Sequence, residues 1–294
     1  MAAGCTGGNK PDGTKSPAGT KFPVTVKAAN GDVEIRSRPE RIVSLSPTAT
    51  EMLFAIGAGG QVAAADEFSN YPAEAPKTDL SGFTPNVEAI VGHRPDLVVT
   101  ENEGLVAALG NAEVPVIYQP TARKLEDSYT QMEQLGLATG NSSKAKGVVA
   151  RMKSDIRELV ESVPSETKLT YYHEIEQTFF TATSKTFIGQ VYSLLGLENI
   201  ADEADTEETG GFPQLSAEYI VNANPDFIFL ADTKCCGQSP ETVAARPGWD
   251  QIKAVQQGQV IPLDDDIASR WGPRVVDFLR TVTKAILVSE PAGT

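Results

Sequence analysis

The segment Ser142–Val163, SSKAKGVVARMKSDIRELVESV, decides how this chain is organised. Apolar side chains recur in it at spacings of three and four, which places them along one face of a helix. Gly140 and Pro164 bound the segment, and Asn141 or Ser142 can cap its first turn. At about 1.5 Å per residue such a helix is roughly 33 Å long, so it can run along two lobes.

Short apolar runs alternate with helical stretches on both sides of this segment. Arg41–Leu45 and Leu97–Thr100 precede it, and Leu169–His173, Thr178–Ala182 and Phe227–Leu230 follow it. Strands that alternate with helices indicate a parallel sheet covered on both faces. We predict an α/β fold with two parallel-sheet lobes joined by a single long interlobe helix. The predicted parts are a tether over 1–21, lobes over 22–141 and 166–294, and the interlobe helix over 142–165.

The two predicted lobes share a sequence motif. EAIVGHRPDLV at 88–98 returns as EYIVNANPDFI at 218–228, with Glu, Ile, Val, Pro and Asp at identical spacing. Each copy predicts a short helix, a Pro-Asp turn and a strand. A carboxylate is favoured in a first helical turn by the helix dipole, which by itself would explain Glu88 and Glu218. We favour a shared function for this pair.

Composition excludes some partners. The formal net charge of −14 over 294 residues argues against nucleic acid and against an anionic lipid surface. No apolar run approaches the roughly 20 residues that a membrane span needs. We therefore expect contact with a membrane only through an anchor.

Cys5 is the candidate for that anchor. It follows Ala3-Gly4 and precedes a polar, Gly-, Pro- and Ser-containing run to Lys21, a pattern that resembles the processing site of bacterial lipoproteins. The charged and apolar parts of a signal peptide do not precede it. We expect Cys5 to carry lipid and to hold an extracytoplasmic protein on the outer face of the cell membrane.

Five stretches, together with the repeated motif at 88–98 and 218–228, carry a resemblance to a known family. RPERIVSLSPTATE at 38–51 resembles the opening of the class III substrate-binding proteins of ABC importers, which serve cobalamin and ferric-siderophore uptake. The other stretches are FSNYP at 68–72, TFIG at 186–189, GLENI at 196–200 and SRWGPR at 269–274, and the match covers 38–288. The resemblance implies two lobes with the ligand in the cleft, small closure motions and a monomer. It implies no cofactor of its own, and a partner permease with its ATPase.

The same resemblance assigns a role to the repeated glutamates. By motif position, Glu88 and Glu218 are expected to pair with arginines of the permease, one from each lobe.

Candidate ligand-binding residues come from the loops after the predicted strands, because ligands of parallel sheets bind beyond the carboxyl ends. Aromatic faces suit a large chelate. We expect about half of the candidates to line the cleft and the others to lie in the core. The candidates are Phe68, Tyr71, Phe83, His173, Phe187, Phe212, Arg270 and Trp271.

Other site chemistries have weaker support. The chain has only two histidines, His93 and His173, and no His/Cys/Asp cluster has ligand spacing, so we predict no metal site. Asp264–Asp266 lacks the spacing and the glycine of a calcium loop. An enzyme with Cys235 as nucleophile and His173 as base is one alternative, and a sensory binding lipoprotein without a permease is another. We expect Cys235 and Cys236 to form a vicinal disulfide.

The predicted ligand is a bulky metal chelate, either a cobalamin-type corrinoid or a ferric hydroxamate siderophore. Acidic side chains on the cleft-side loops would repel a strongly anionic catecholate complex, at about 1 to 4 kcal/mol for each close like pair. Those side chains are Glu101, Glu103, Glu174, Glu176 and Asp264–Asp266.

Overall fold

The computed structural model describes residues 20–164 and 168–289, so Cys5 and most of the predicted tether lie outside the described residues. The described chain begins with an antiparallel hairpin of β1 (Val24–Ala28) and β2 (Gly31–Ile35), which the sequence predicts from Asn30-Gly31. The Asn30 side chain donates to the Val116 carbonyl at 2.9 Å and accepts from the Tyr118 N–H at 3.1 Å. These bonds fasten the hairpin to the edge of the first sheet.

The first lobe is a four-stranded parallel sheet in the order β4-β3-β5-β6. Every residue of the central strands β3 and β5 is buried, as expected for a parallel sheet covered on both faces. Its strands are β3 (Ile42–Leu45), β4 (Val62–Ala65), β5 (Leu97–Thr100) and β6 (Val116–Tyr118). Its helices are α1 (Pro47–Ala55), α2 (Val87–Gly92), α3 (Gly104–Gly110) and α4 (Leu125–Ala138).

The second lobe repeats this plan with a parallel sheet in the order β10-β9-β7-β8. Its strands are β7 (Thr170–Glu174), β8 (Glu198–Asn199), β9 (Phe227–Leu230) and β10 (Val260–Pro262). Its helices are α6 (Phe187–Ser193), α7 (Ala217–Ala223), α8 (Thr233–Cys236), α9 (Pro240–Ala244), α10 (Lys253–Gln256), α11 (Asp265–Ser269) and α12 (Val275–Ser289). The predicted two-lobe α/β fold is therefore present.

The long helix α5 (Ser142–Glu161) connects the two sheets in sequence and ends two residues before the predicted Val163. It packs against α4 of the first lobe and against α12. The approach to α4 is very close, because a Cβ atom at Gly136 would overlap the Cβ of Ala145. The helix thus has neighbours on both sides, whereas the domain boundaries at 141/142 and 165/166 stay predictions.

Three apolar clusters form the interior. The largest, called the shared core here, contains Leu135 of the first lobe, Met152 of α5 and Phe229 of the second lobe. A smaller cluster covers the other face of each sheet, around Val98 in the first lobe and Ile228 in the second. Because the shared core is continuous between the sheets, separating the lobes would expose apolar surface to water.

The repeated motif has a structural reason in its aspartates. Asp96 accepts from the backbone N–H of Arg41 at 3.0 Å, and Asp226 accepts from that of Thr170 at 2.8 Å. In each lobe the aspartate that precedes a central strand thus holds the start of the neighbouring parallel strand. The recurrence of Pro-Asp follows from this shared task.

One predicted strand is wrong. Residues 178–182 form no regular strand, and Phe180 makes only an isolated bridge to Gln214. Phe179 has a positive φ of 71°, which interrupts the extended backbone that a strand needs.

Candidate ligand-binding cleft

A cavity of about 1160 Å³ lies between the two lobes. One wall comes from the hairpin, the ends of β5 and β6, and the start of α4. The other comes from the start of α6 and the loop before α7. Its lining includes Glu101, Gln119, Gln131, Gln134, Phe187 and Phe212.

Three glutamine side chains contribute to the first-lobe wall. The Gln119 Nε2 donates to the Gln131 carbonyl at 2.9 Å, and the Gln131 Nε2 donates to the Pro120 carbonyl at 2.7 Å. These bonds fix the orientation of both amides at the cavity surface. A wall of oriented amides suits a ligand that itself carries hydrogen-bonding groups.

The second-lobe wall is built around the start of α6. The Thr186 side chain caps α6 by accepting from the Gly189 N–H at 3.0 Å, and Phe187 follows at the first helical position. A Cβ at Gly189 would overlap the Thr183 carbonyl oxygen, so only glycine permits this close approach. Phe212 is 44% exposed, and both Phe187 and Phe212 belong to the cavity lining. The TFIG stretch at 186–189 and the GGF stretch at 210–212 therefore contribute two of the predicted aromatic residues, Phe187 and Phe212.

Three further predicted aromatic residues form a separate exposed group. The rings of Phe68 and Phe83 meet edge to face at 5.7 Å, and Phe83 is 79% exposed. The Tyr71 ring lies under the Arg274 guanidinium, with 4.1 Å from its carbon to the ring centroid. None of the three lines the cavity. Their role as ligand contacts stays a prediction.

Arg270 is buried in a polar cluster and does not project into the cavity, contrary to prediction. Its guanidinium donates to Glu51 at 2.8 Å, to Asp266 at 2.6 Å, and to the Asn70 side chain and the Phe68 carbonyl. Arg274 also donates to Glu51, at 2.9 Å. Glu51, at the end of the quoted 38–51 motif, thus holds both arginines and ties the start of α12 to the first lobe. The sequence did not indicate this role of Glu51.

His173 and Trp271 are also core residues rather than cleft residues. His173 is completely buried because alternate residues of β7 face the shared core, where its Nδ1 lies 2.8 Å from the Tyr192 hydroxyl. Burial lowers the pKa of His173 to about 3, so the imidazole is neutral. Trp271 is 7% exposed, and its Nε1 donates to the Gln131 Oε1 at 2.8 Å. It therefore lies directly behind a cavity-lining amide.

The predicted acidic rim is partly neutralised. Glu174 is completely buried and receives two bonds from Arg246, at 2.6 and 2.5 Å. Asp264 and Asp266 both accept from the Lys234 ammonium, at 2.7 and 2.9 Å. Asp265 accepts from backbone N–H groups at the start of α8. The charge argument against anionic ligands is therefore weaker than the sequence suggested.

Glu101 is the acidic side chain at the centre of the first-lobe wall. It follows β5, and the Ser46 hydroxyl donates to its Oε1. Its pKa is raised to about 7, mainly by burial; the Ser46 hydrogen bond and Arg270 oppose this shift, and the nearby carboxyl of Asp66 adds to it. Burial likewise raises the pKa of Asp66. The first-lobe wall of the cavity thus holds a carboxyl group that changes charge near neutral pH.

The remaining predicted sites lie at the surface. Glu88 and Glu218 are both exposed, each in the first turn of its helix, behind the capping side chains of Asn86 and Ser216. Cys235 and Cys236 are exposed and joined by a disulfide at the end of α8.

The structure gives no support to a Cys235/His173 enzyme site. The sulfur of Cys235 is bonded to Cys236, and His173 is inside the core. Within residues 20–164 and 168–289, three or more His, Cys, Asp or Glu side chains nowhere come together as metal ligands. None of the helices in these ranges is both long and apolar enough for a membrane span.

Comparison with known proteins agrees with this geometry. A family model described as "Periplasmic binding protein" matches residues 42–267. An uncharacterised ABC transporter substrate-binding lipoprotein of Bacillus subtilis is 31% identical, over 97% of this chain and 93% of that protein. A cobalamin-binding protein of Halobacterium salinarum is 30% identical, over 90% of this chain and 74% of that protein.

A solved structure from Staphylococcus epidermidis, described as a possible iron-binding periplasmic solute-binding protein, shares the fold. It superposes with a TM-score of 0.72 at 26% identity, over 85% of this chain and 99% of that one. Together with two parallel-sheet lobes and a cavity between them, these matches show that the chain belongs to the periplasmic binding protein family of ABC-transporter substrate-binding proteins.

Proposed function

We propose that the protein captures a bulky metal chelate, a corrinoid or a ferric hydroxamate, outside the cytoplasm and delivers it to an ABC permease. The interlobe cavity of about 1160 Å³ carries this proposal. Pockets for drug-sized ligands usually have about 300 to 1000 Å³, so this cavity suits a ligand at or above that range.

The lining supports a ligand with mixed surface chemistry. Phe187 and Phe212 offer apolar contact from the second lobe, and the first-lobe lining includes the polar side chains of three glutamines. A corrinoid or a hydroxamate chelate has an apolar framework with amide or carbonyl groups at its edge. Since the chelate brings its own metal, the protein needs no metal-ligand set.

Attachment to the membrane through Cys5 is part of the proposal. The similarity to a substrate-binding lipoprotein and the Ala3-Gly4-Cys5 pattern both support it. Intact mass measurement of the protein expressed in a bacterial host, before and after Cys5→Ser, would reveal the lipid. An unlipidated wild-type protein would contradict this part alone.

Equilibrium titration with defined chelates tests the central claim. Cyanocobalamin and ferrioxamine B are the probes, and at least one should bind with a Kd of micromolar or below. Binding should also alter Trp271 fluorescence, because its indole is bonded to the cavity-lining Gln131. A tri-anionic ferric catecholate that binds tightly when neither probe does would overturn the ligand class.

Two phenylalanine variants locate the site. Phe212→Ala removes a cavity-lining ring and should weaken binding at least tenfold, since burying a phenylalanine side chain contributes about 1.5 to 3 kcal/mol. Phe83→Ala is the matched control, because its more exposed ring lies outside the cavity lining. A larger loss from Phe83→Ala would move the ligand to the Phe68–Phe83 group.

A sensory binding lipoprotein without a permease is the alternative to transport. The two functions share the cavity and differ in the partner. Uptake of the bound chelate that depends on a permease gene, measured in a strain that lacks this protein and is complemented with it, would support transport.

A further inference from the structure

Asp66 is a buried carboxyl group near Glu101, a carboxyl group of the cavity lining. Asp66 is 2% exposed at the end of β4, and Ser69 is its hydroxyl partner. The Ser69 Oγ also lies 2.8 Å from the Thr50 Oγ1, which lies 2.8 Å from the Ser44 Oγ. Donation from Ser44 to Thr50, from Thr50 to Ser69 and from Ser69 to Asp66 gives every contact one hydrogen, so these bonds hold Asp66 in either protonation state. Asp66 does not line the cavity.

Glu101 is the carboxyl group of this pair that lines the cavity. The Ser46 hydroxyl has a single hydrogen, which it donates to the Glu101 Oε1 while accepting from the Ala49 N–H. Among the described residues none donates to the Oε2, and this atom is not shut away from solvent. Because Glu101 lines the cavity, the Oε2 is free to meet a ligand.

The charged residues around the cavity do not form an ion pair with Glu101. Arg270 has its two terminal nitrogens bonded to Glu51, Asn70, Phe68 and Asp266. Lys185 across the cavity is paired with Asp205 at 2.8 Å. The other charged groups of the lining are Lys27, Arg123, Asp127 and Glu207. None of these residues forms an ion pair with Glu101 in the structure, so the ligand itself must compensate an ionised Glu101.

We propose that Glu101 is a specificity residue whose ionised side chain selects chelates that present amide N–H donors at the first-lobe wall, so that capture tightens as the pH rises through neutrality. This inference rests on the proposed function. A carboxylate only accepts hydrogen bonds, and one that a ligand covers without donating leaves a buried charge unpaired. A ligand that places a carboxylate there instead requires Glu101 to be protonated.

Binding of cyanocobalamin, which carries peripheral primary amides, is the first test. With a pKa of about 7, the ionised fraction of Glu101 falls from about 97% at pH 8.5 to about 3% at pH 5.5. The Kd of the wild-type protein should therefore rise by up to about 30-fold over this range. In Glu101→Gln the Kd should be nearly independent of pH. Glu103→Gln removes the same charge from an exposed site outside the lining and should keep the wild-type slope.

The outcomes separate this inference from the proposed function. Binding of cyanocobalamin or ferrioxamine B with a flat pH profile, or an unchanged slope in Glu101→Gln, overturns the role of Glu101 and leaves the function standing. Binding of neither probe at any pH contradicts both. Hemin, which carries carboxylates, overturns the proposed selectivity if it binds more tightly than both probes with a Kd that falls as the pH falls. Melting curves at pH 5.5 and 8.5 check that each variant is folded.

Discussion

At the scale of the residue, the buried charges of this protein depend on a few specific partners. Glu174 and Asp232 are both completely buried at the ends of β7 and β9, and Arg246 is the cation that contacts Glu174. Burial and the charge of Glu174 raise the pKa of Asp232, so this carboxyl tends to keep its proton. Loss of Arg246 would therefore leave Glu174 as a buried charge without this cation.

Replacing Arg246 with methionine should lower the free energy of unfolding by about 3 to 5 kcal/mol, because Glu174 would lose its partner inside the core. Urea unfolding at pH 7 measures the change. Arg280→Met removes a half-exposed partner of Asp277 and should cost less than about 1 kcal/mol. Similar losses of unfolding free energy in the two variants would show that the Arg246–Glu174 pair contributes no more than an exposed ion pair.

His173 should make the protein sensitive to acid. Its pKa lies at about 3 in the folded protein against an ordinary value of 6.5, so the folded state favours the neutral ring. That contribution to stability is complete above pH 6.5 and is lost as the pH falls from 6.5 toward 3. His173→Gln should lose several kcal/mol less stability than the wild type between pH 7 and 4, in urea titrations at each pH. His93→Gln, in the turn after α2, is the control and should follow the wild type.

At the scale of the element, glycine controls how closely helices approach. Gly136 of α4 faces Ala145 of α5 with no room for a Cβ, whereas the nearest atom to a Cβ at Gly147 of α5 would be 3.7 Å away. Gly136 and Gly147 both lie inside long helices, and the sequence gives no sign that they differ. The contact between α4 and α5 makes the difference.

Alanine at these two positions should therefore have opposite effects. Gly136→Ala should lower the free energy of unfolding by about 1 to 3 kcal/mol, because α4 and α5 must move apart. Gly147→Ala should raise it by up to about 1 kcal/mol through helix propensity. Urea unfolding of both variants measures the signs. A stabilised Gly136→Ala would contradict the close approach of the two helices.

At the scale of the whole molecule, the shared core determines how far the lobes can move. Leu135, Met152 and Phe229 belong to one apolar cluster, and Glu51 holds Arg270 and Arg274 beside it. Both features restrain the lobes in addition to α5. We therefore expect Glu88 and Glu218 to keep a nearly fixed separation, which would suit the proposed two-point contact with a permease.

The double variant Glu88→Ala/Glu218→Ala should abolish chelate uptake in a transport assay and leave the Kd for the chelate within about twofold. Both side chains are exposed, and neither lines the cavity. Glu158→Ala/Glu161→Ala, at two exposed positions of α5, removes the same charge and should leave uptake unchanged. A loss of chelate affinity in the first variant would assign its glutamates to ligand binding instead.

The sequence by itself determined the long helix and the alternation of most strands with helices. Apolar periodicity predicted α5 to within two residues at its end, because a 20-residue amphipathic helix leaves a clear local signal. The alternation of strands and helices predicted two parallel sheets, and the 88–98 and 218–228 copies marked equivalent units of the lobes. The strand predicted at 178–182 failed because the backbone reversal at Phe179 leaves no such signal.

Only the tertiary structure decided which side chains reach the cavity. Phe187 and Phe212 line it, whereas His173 and Trp271 lie in the core, because the side of a strand or loop that faces a cleft depends on packing between distant elements. The charge balance was equally hidden, since Arg246 and Glu174 are 72 residues apart and Arg270 and Glu51 are 219 apart. The raised pKa of Glu101 arises in the same way, because its main cause is burial, which exists only in the folded chain.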